Sequence, residues 1–286
     1  MAYQYLTAEN LHHFITTALA EDIGEGDFST LSSVPAEAVS TAKLLIKDDG
    51  ILAGVELAEK IFKHLEPNCT FEIYKKDGEK IKKGEEAFRV HAHAQVLLQG
   101  ERLVLNCMQR MSAIATKTNH FTQLIQHTKA RLLDTRKTTP NFRMIEKWAV
   151  LIGGGTNHRF GLFDMVMLKD NHIDYAGGIT KAVQNTQKYL ASINKKLRIE
   201  VETRNIEEVK EALLVGGVDV IMLDNMTIAQ MTEAVKIIGN QAQTEASGGI
   251  NEQTIVPIAE TGVDFISVGA LTHAVKSLDL SLKAVV

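Results

Sequence analysis

Two pairs of adjacent basic residues are the side chains in this sequence best suited to bind an anionic substrate. Arg136 and Lys137 are neighbours in the segment DTRKTTP, and His158 and Arg159 are neighbours in GGGTNHRFGL. An arginine binds a carboxylate with a planar fork, whereas a lysine acts as a mobile point charge. Residues 102–170 hold eleven Lys and Arg against four Asp and Glu, although the whole chain has a net charge of −4. A positive region inside an acidic protein predicts a site for small anions rather than for nucleic acid.

Carboxylates and small residues form the second set of candidate groups. Glu200 and Asp224 lie at the ends of apolar runs, and Mg²⁺ commonly binds one or two such carboxylates together with substrate phosphates. Small residues follow two later apolar runs, where backbone N–H groups can approach a phosphate. This set consists of Ser247, Gly248, Gly249, Val268, Gly269 and Ala270. The structural alternatives are an exposed basic turn, an ion-pair network and glycine turns that hold no ligand.

The elements that must position these groups change in character along the chain. Residues 38–95 contain short strand-like runs punctuated by glycine turns, and residues 96–127 have the pattern of one long helix. Beyond this helix, apolar runs alternate with helical stretches, which predicts a parallel sheet with right-handed crossovers. The six runs are Arg131–Asp134, Asp164–Lys169, Leu197–Glu202, Asp219–Asp224, Gln243–Ala246 and Asp264–Val268.

Six such strands, most of which end in charged residues or glycines, favour a β/α barrel over an open doubly wound sheet. The carboxyl ends of barrel strands share one mouth, so the candidate groups should converge there. Side-chain alternation places Glu200 and Glu202 on the same face of their strand. Sheltered charged groups are costly without partners, so these glutamates are expected to face cations or ligands.

The cysteine content and hydropathy predict an intracellular protein. Cys69 and Cys107 are the two cysteines, too few for a disulfide framework and typical of a reducing compartment. The first 19 residues have no long apolar core, and no apolar run of 18 residues follows. A cytoplasmic enzyme that binds neither membrane nor nucleic acid is therefore expected.

The combined motifs closely resemble the bacterial-type quinolinate phosphoribosyltransferases. The resemblance runs nearly from end to end, and the order and spacing of the segments are far more specific than any one motif. The segments are EDIGEGDFST at 21–30, ERLVLNCMQRMSAIAT at 101–116, DTRKTTP at 134–140, GGGTNHRFGL at 153–162, KDNHI at 169–173, EVE at 200–202, LDN at 223–225, EASGGI at 245–250 and TGVDFISVGALTH at 261–273.

The resemblance implies an α/β fold with two domains, assembled as a homodimer. An N-terminal α/β sandwich is expected over residues 1–110, completed by a C-terminal helix at about 273–286, with an open parallel β/α barrel over 111–272. The implied reaction is that of a pentosyltransferase in NAD biosynthesis. Quinolinate and phosphoribosyl pyrophosphate give nicotinate mononucleotide, pyrophosphate and carbon dioxide, with Mg²⁺ and without an organic cofactor.

The resemblance also implies roles for individual residues. The quinolinate pocket is expected to consist of Arg102, Arg136, His158, Arg159 and Lys169, with Arg102 entering from the partner subunit. Lys137, Glu200 and Asp224 are expected to bind phosphoribosyl pyrophosphate and Mg²⁺, the metal being held mainly by substrate oxygens. Ser247, Gly248, Gly249 and Gly269 resemble a cradle for the 5′-phosphate, and Thr135, Val268 and Ala270 are expected to line the substrate site. The expected catalytic groups are Glu200, Asp224, Lys137 and Lys169.

Three other interpretations of the sequence remain open. The first is a relative of the same fold that is associated with molybdenum uptake and has a different substrate. The second is a phosphate-binding barrel lyase that uses Lys169 as a Schiff-base nucleophile, although a lysine beside carboxylates tends to keep its charge. The third is a non-catalytic anion sensor. A turnover assay, borohydride trapping and calorimetry would separate them.

Overall fold

The computed structural model describes residues 5–285, which divide into two compact units. The first, called the sandwich unit here, comprises the residues up to Asn119, Thr139–Gly154 and the residues from Ala274 onward. The second, called the barrel unit, comprises His120–Thr138 and Gly155–His273.

The sandwich unit contains five helices and six strands among the described residues. Its helices are α1 (Ala8–Ile23), α2 (Phe28–Ser33), α3 (Val55–Leu65), α4 (Ala94–Leu124, which continues into the barrel unit) and α5 (Arg143–Ile152). Its strands are β1 (Val39–Ile46), β2 (Gly50–Ile51), β3 (Thr70–Ile73), β4 (Lys80–Ile81), β5 (Glu86–His93) and β12 (Leu280–Ala284), numbered in chain order. Four of these strands form an antiparallel sheet in the order β12-β1-β5-β3, and β2 pairs with β4.

Alternating apolar residues hold the antiparallel sheet against its helices. On β1, Ala42, Leu44 and Ile46 are buried, as expected for a strand with one covered face. The ring of Phe71 on β3 lies 6.0 Å from that of Phe62 on α3 and 5.2 Å from that of Phe88 on β5, measured between ring centroids. These contacts join one helix and two strands in one apolar core.

The prediction of a C-terminal helix is wrong, because this segment forms strand β12. Leu278, Leu280 and Leu282 are buried at every second position, which is the period of a strand and not of a helix. Strand β12 pairs with the edge of β1 from Ala42↔Ala284 to Ile46↔Leu280, so its backbone groups bond to that edge.

The barrel unit is built on six parallel strands, as the sequence predicted. They are β6 (Arg131–Leu133), β7 (Val166–Leu168), β8 (Ile199–Thr203), β9 (Val220–Asp224), β10 (Gln243–Ser247) and β11 (Phe265–Ser267). Their order is β6-β11-β10-β9-β8-β7, and among the described residues no pairing joins β6 to β7. The predicted open β/α barrel is therefore confirmed.

Helices follow the barrel strands and cover their outer face. They are α6 (Asp170–Ala176), α7 (Ile179–Ser192), α8 (Ile206–Val215), α9 (Ile228–Ile238), α10 (Ile255–Glu260) and α11 (Ala270–His273). Two of them begin at capping residues, since Asn205 Oδ1 accepts the Glu208 N–H at 3.0 Å and Thr227 Oγ1 accepts the Gln230 N–H at 3.3 Å. Strands β8 and β9, which precede these caps, pair in parallel, so both end at the same edge of the sheet. Within residues 5–285, no helix combines the length and the apolar character that crossing a membrane requires.

Candidate active site

The carboxyl ends of the six barrel strands bring together most of the predicted site residues. Ser247 on β10 pairs in register with Asp224 on β9. Glu202 on β8 pairs with Met222, which precedes Asp224 by two residues on β9. The segment that holds Arg136 follows β6, and Lys169 follows β7 directly. These residues therefore share one edge of the sheet, called the mouth here. Arg102 lies on α4 in the sandwich unit, with an exposed side chain.

Two arginines at the mouth form a cationic pair. Nε and Nη1 of Arg136 are buried and have no hydrogen-bond partner among the described residues. Burial lowers the pKa of Arg159, and the nearby charge of Arg136 lowers it further. Buried, unsatisfied guanidinium donors are costly unless an anion binds them. The pair is therefore suited to a substrate carboxylate.

One buried and one half-buried aspartate fix the loop that carries His158 and Arg159. Asp134, which is fully buried at the end of β6, accepts the His158 N–H at 2.8 Å and the Asn157 Nδ2–H at 2.6 Å. Asp164 accepts the backbone N–H groups of Phe160 at 2.6 Å and Gly161 at 2.8 Å. The loop is thus held on both sides of Arg159. No sequence pattern indicated a role for either aspartate, although each is the terminal residue of a predicted strand.

A second Arg159 contact sets the direction of its side chain. Its Nη1–H donates to the Met165 carbonyl oxygen at 3.2 Å. This bond uses one of several guanidinium donors, so the others remain able to bind a ligand. The loop therefore holds Arg159 at both its backbone and its side chain.

The imidazole of His158 lies between two buried carboxylates. Its Nε2 is 3.0 Å from Glu200 Oε2 and 3.3 Å from Glu245 Oε2. Burial acts to lower the pKa of His158, but the two carboxylates outweigh burial and raise it to about 9. Burial also raises the pKa of Glu200, against the opposing effect of the His158 contact, and the charge of Glu245 adds to the increase. These three side chains are called the inner cluster below.

The other ring nitrogen of His158 contacts the main chain of the next residue. The Arg159 N–H donates to His158 Nδ1 at 2.7 Å. A ring that accepts a bond at Nδ1 carries its only proton on Nε2, facing the carboxylates. A second proton, which the carboxylates favour, has to displace the Arg159 bond. Nδ1 is therefore engaged within the protein, whereas Nε2 lies within ion-pair distance of two carboxylates without forming a hydrogen bond to them among the described residues. The predicted contact of His158 with quinolinate stays a prediction.

The two glutamates of strand β8 differ in burial and in distance from the mouth. Glu200 is fully buried in the inner cluster, whereas Glu202 lies one step closer to the mouth. Oε2 of Glu202 is 3.1 Å from the ammonium of Lys169, whose side chain is 47% exposed. Sequence alternation placed both glutamates on one face but did not identify Glu202 as the partner of Lys169. This contact gives the Lys169 side chain an ion-pair role, which disfavours a Schiff-base role.

The carboxylates differ in how well they suit Mg²⁺. Asp224 is half-buried at the end of β9, and its Oδ2 accepts the Asn225 Nδ2–H at 2.7 Å. A single carboxylate at the mouth fits a metal that is held mainly by substrate oxygens. The ligand atoms of the inner cluster lie within 4.8 Å of one another, but Glu200 there is paired with an imidazole and lies beside cationic Arg159. Glu200 therefore fits the predicted metal role poorly, and Asp224 fits it better.

Glycines after β10 and β11 allow neighbouring side chains to lie close to the backbone. Gly248 has φ +91°, and a Cβ there would collide with the side chain of Asn225. A Cβ on Gly269 would lie 2.9 Å from Lys137 Cδ and 3.3 Å from the His273 ring. The backbone of Lys137 is fixed as well, because its carbonyl accepts the Thr272 hydroxyl at 2.8 Å. Lys137 thus passes closely over Gly269, with its side chain exposed.

The remaining small residues of this region lie in the same turns. The Lys137 N–H donates to the Thr135 hydroxyl at 3.0 Å, which tightens the turn after β6. Val268 is buried, and its N–H donates to the Leu133 carbonyl at 3.0 Å, which ties β11 to β6. Ala270 begins the short helix α11. Val268 therefore supports the turn, and the backbone of residues 269–270 forms its surface.

Replacing Gly269 with alanine is expected to weaken phosphoribosyl pyrophosphate binding. The new methyl group displaces Lys137, so the KM for this substrate should rise about tenfold while the KM for quinolinate changes little. Steady-state kinetics with each substrate varied in turn would measure both values. Gly269 does not have the left-handed backbone conformation, so thermal stability should remain near that of the unchanged protein. Equal changes in both KM values would contradict the assignment.

The fold and the site define a class of protein, a β/α barrel enzyme that binds anionic substrates at the carboxyl ends of its strands. Comparison with known proteins gives the family. Residues 27–112 match the N-terminal domain and residues 114–283 the C-terminal domain of the family described as quinolinate phosphoribosyl transferase. The chain therefore belongs to the quinolinate phosphoribosyltransferase family.

Individual relatives agree with this family over nearly the whole chain. The chain is 45% identical over 289 residues to the chloroplastic nicotinate-nucleotide pyrophosphorylase (carboxylating) of Oryza sativa subsp. japonica, covering 96% of this chain and 77% of the relative. It is 42% identical to the probable nicotinate-nucleotide pyrophosphorylase (carboxylating) of Bacillus subtilis (strain 168), covering 95% of this chain and 91% of the relative. The solved structure of nicotinate-nucleotide pyrophosphorylase from Francisella tularensis is 36% identical, with a TM-score of 0.87 and 98% coverage of both chains. These relatives support the quinolinate interpretation and give no support to the molybdenum alternative.

Proposed function

We propose that this chain transfers the phosphoribosyl group of phosphoribosyl pyrophosphate to quinolinate and releases pyrophosphate and carbon dioxide, giving nicotinate mononucleotide. The observation that carries the proposal is the pair of buried, unpartnered donors of Arg136 beside Arg159. Membership in the quinolinate phosphoribosyltransferase family supports the same reaction.

The cations at the mouth suit a dicarboxylate. Arg136 offers two buried donors to one carboxylate, and Arg159 and Lys169 supply positive charge nearby for the second. Each charge-assisted hydrogen bond contributes about 1.5–3 kcal/mol. Nicotinate has one carboxylate fewer and would leave cationic donors buried without a partner. The site should therefore select strongly for the dicarboxylate.

The other side of the mouth suits the phosphoribosyl group. The turn at Gly249, where an added Cβ would meet no atom within 4 Å, and the backbone at Gly248 and Gly269 can receive the 5′-phosphate, with Ser247 at the strand end beside them. Lys137 lies over Gly269 with an exposed side chain, so its ammonium can reach the pyrophosphate. Asp224 would hold Mg²⁺ together with substrate oxygens. When bound, the metal would neutralise charge on the departing pyrophosphate.

Chemistry at the sugar needs an anion that stabilises positive charge. Loss of pyrophosphate develops an oxocarbenium-like cation at C1, which a fixed carboxylate stabilises electrostatically. The family resemblance placed Glu200 among the catalytic groups, but Glu202 lies closer to the mouth, and it is the glutamate that pairs with Lys169. We therefore assign the role to Glu202. Once ribosylated, the ring nitrogen is cationic and stabilises the electron pair that the departing carbon dioxide leaves at C2. A proton from solvent then forms the C2–H bond, so the residues mainly orient the ring.

The proposal includes a homodimer in which Arg102 completes the quinolinate pocket of the partner subunit. Arg102 has an exposed side chain on α4 and is therefore free to contact a second copy.

We also place the enzyme in the cytoplasm. Both cysteines are free, and burial raises the pKa of the Cys107 thiol to about 12, as suits inert packing in a reducing compartment. The Oryza sativa relative is named chloroplastic, so the compartment differs among relatives.

A turnover assay tests the proposed function. The full chain is incubated with quinolinate, phosphoribosyl pyrophosphate and Mg²⁺, and both the absorbance of the mononucleotide and the release of carbon dioxide are followed. We expect equal amounts of the two products and negligible turnover of nicotinate. Binding of both substrates without release of carbon dioxide would indicate an anion sensor instead. Covalent trapping of Lys169 with borohydride and a carbonyl substrate would indicate a lyase.

A further inference from the structure

Glu245 is a buried acidic residue for which the proposed reaction has no direct use. It lies on β10, and its side chain is 1% exposed. Its Oε2 is 3.3 Å from His158 Nε2, whereas its Oε1 is buried without a hydrogen-bond partner among the described residues. A half-satisfied buried carboxylate destabilises a fold. This cost suggests that the charge of Glu245 serves the site.

The contact that Glu245 makes leads directly to the cationic pair at the mouth. In its partner His158, Nδ1 lies 2.7 Å from the backbone N of Arg159. The same ring nitrogen that faces Glu245 also faces Glu200 at 3.0 Å. Two carboxylates therefore lie within ion-pair distance of Nε2, and Nδ1 lies against the backbone of Arg159.

Two carboxylates fix an imidazole better than one does. A single acceptor lets the ring rotate about its bond to that acceptor, whereas acceptors on two different strands define both its direction and its plane. Glu200 comes from β8 and Glu245 from β10, with β9 between them. Misplacing a binding group by about 1 Å can cost roughly 10²-fold in rate. The direction of the His158 ring should therefore matter for the placement of Arg159.

We propose that Glu245 is a positioning residue of the quinolinate pocket, which acts through His158 to hold Arg159 toward the substrate carboxylate. The proposal rests on the proposed function, since it assigns Arg159 to quinolinate. Glu245 should therefore affect the binding of quinolinate only. The binding of phosphoribosyl pyrophosphate, which is assigned to Lys137 and the glycine turns, should not depend on Glu245.

The test uses the isosteric variant Glu245→Gln in the full chain. We expect the KM for quinolinate to rise about tenfold and the KM for phosphoribosyl pyrophosphate to change less than about twofold. The variant Glu245→Asp keeps the charge and should give an intermediate KM for quinolinate, which preserves the test if the glutamine variant folds poorly. A double-mutant cycle with His158→Asn shows whether the effect passes through the ring. In the His158→Asn background, Glu245→Gln should add less than about twofold.

A surface pair of the same kind provides the matched control. His127 Nε2 lies 3.2 Å from Glu260 Oε1 in the barrel unit, with both side chains more than half exposed. Glu260→Gln should leave both KM values unchanged. Equal changes in both KM values for Glu245→Gln, additivity with His158→Asn, or no change at all would overturn the inference. If the unchanged protein does not convert quinolinate, the proposed function fails first, and quinolinate affinity measured by calorimetry still tests Glu245 separately.

Discussion

Replacing Arg136 with alanine is expected to lower kcat/KM for quinolinate by roughly 10²- to 10⁴-fold, because two charge-assisted hydrogen bonds of about 1.5–3 kcal/mol each are lost. Both donors are buried and have no partner among the described residues, so a bound carboxylate should form strong bonds with them. The KM for phosphoribosyl pyrophosphate should change far less. Initial rates with each substrate varied in turn, together with calorimetry of quinolinate binding, measure the effect.

Two variants separate the role of Arg136 from a general loss of charge or stability. Arg136→Lys keeps a positive charge but loses the planar fork, so it should recover only part of the affinity. Arg131→Ala removes an exposed arginine at the start of β6, the strand that precedes Arg136, and should leave both KM values unchanged. Unchanged quinolinate affinity in Arg136→Ala would show that the carboxylate binds elsewhere.

Mixing an Arg102→Ala protein with an Arg136→Ala protein is expected to restore about one quarter of the unchanged activity. In the proposed homodimer, each site uses Arg136 from one subunit and Arg102 from the partner. A heterodimer therefore has one intact site and one that lacks both arginines. Random exchange places half of the subunits in heterodimers, which gives the expected fraction. Each variant alone should remain nearly inactive.

Differently tagged subunits make this experiment decisive. Purification through both tags in sequence isolates the heterodimer, whose activity should reach about half of the unchanged value because one of two sites is intact. A mixture kept under conditions that prevent exchange serves as the control. An inactive heterodimer after confirmed exchange would show that the two arginines do not meet in one shared site.

Much of the fold follows from local patterns in the sequence. The alternation of apolar runs with helical stretches predicted six parallel strands, and all six are present in the open barrel. Long uninterrupted helical periodicity predicted α4, which spans Ala94–Leu124. The C-terminal segment was misassigned, although Leu278, Leu280 and Leu282 already show the period of a strand. Such a short segment becomes a strand because β1 provides an edge for it to pair with.

The sequence by itself determined which cations and glycines follow the barrel strands, because strand ends are local features and parallel strands bring equivalent ends together. Only the tertiary structure decided how the carboxylates are shared among those cations. Alternation places Glu200 and Glu202 on one face, but the register between strands decides that Glu200 meets His158 and Glu202 meets Lys169. Glu245 joins the inner cluster from a strand far away in the chain, so no local pattern could have predicted its contact with His158. Ion pairs between buried side chains depend on distances and burial in the folded chain, which the spacing of residues along the sequence does not specify.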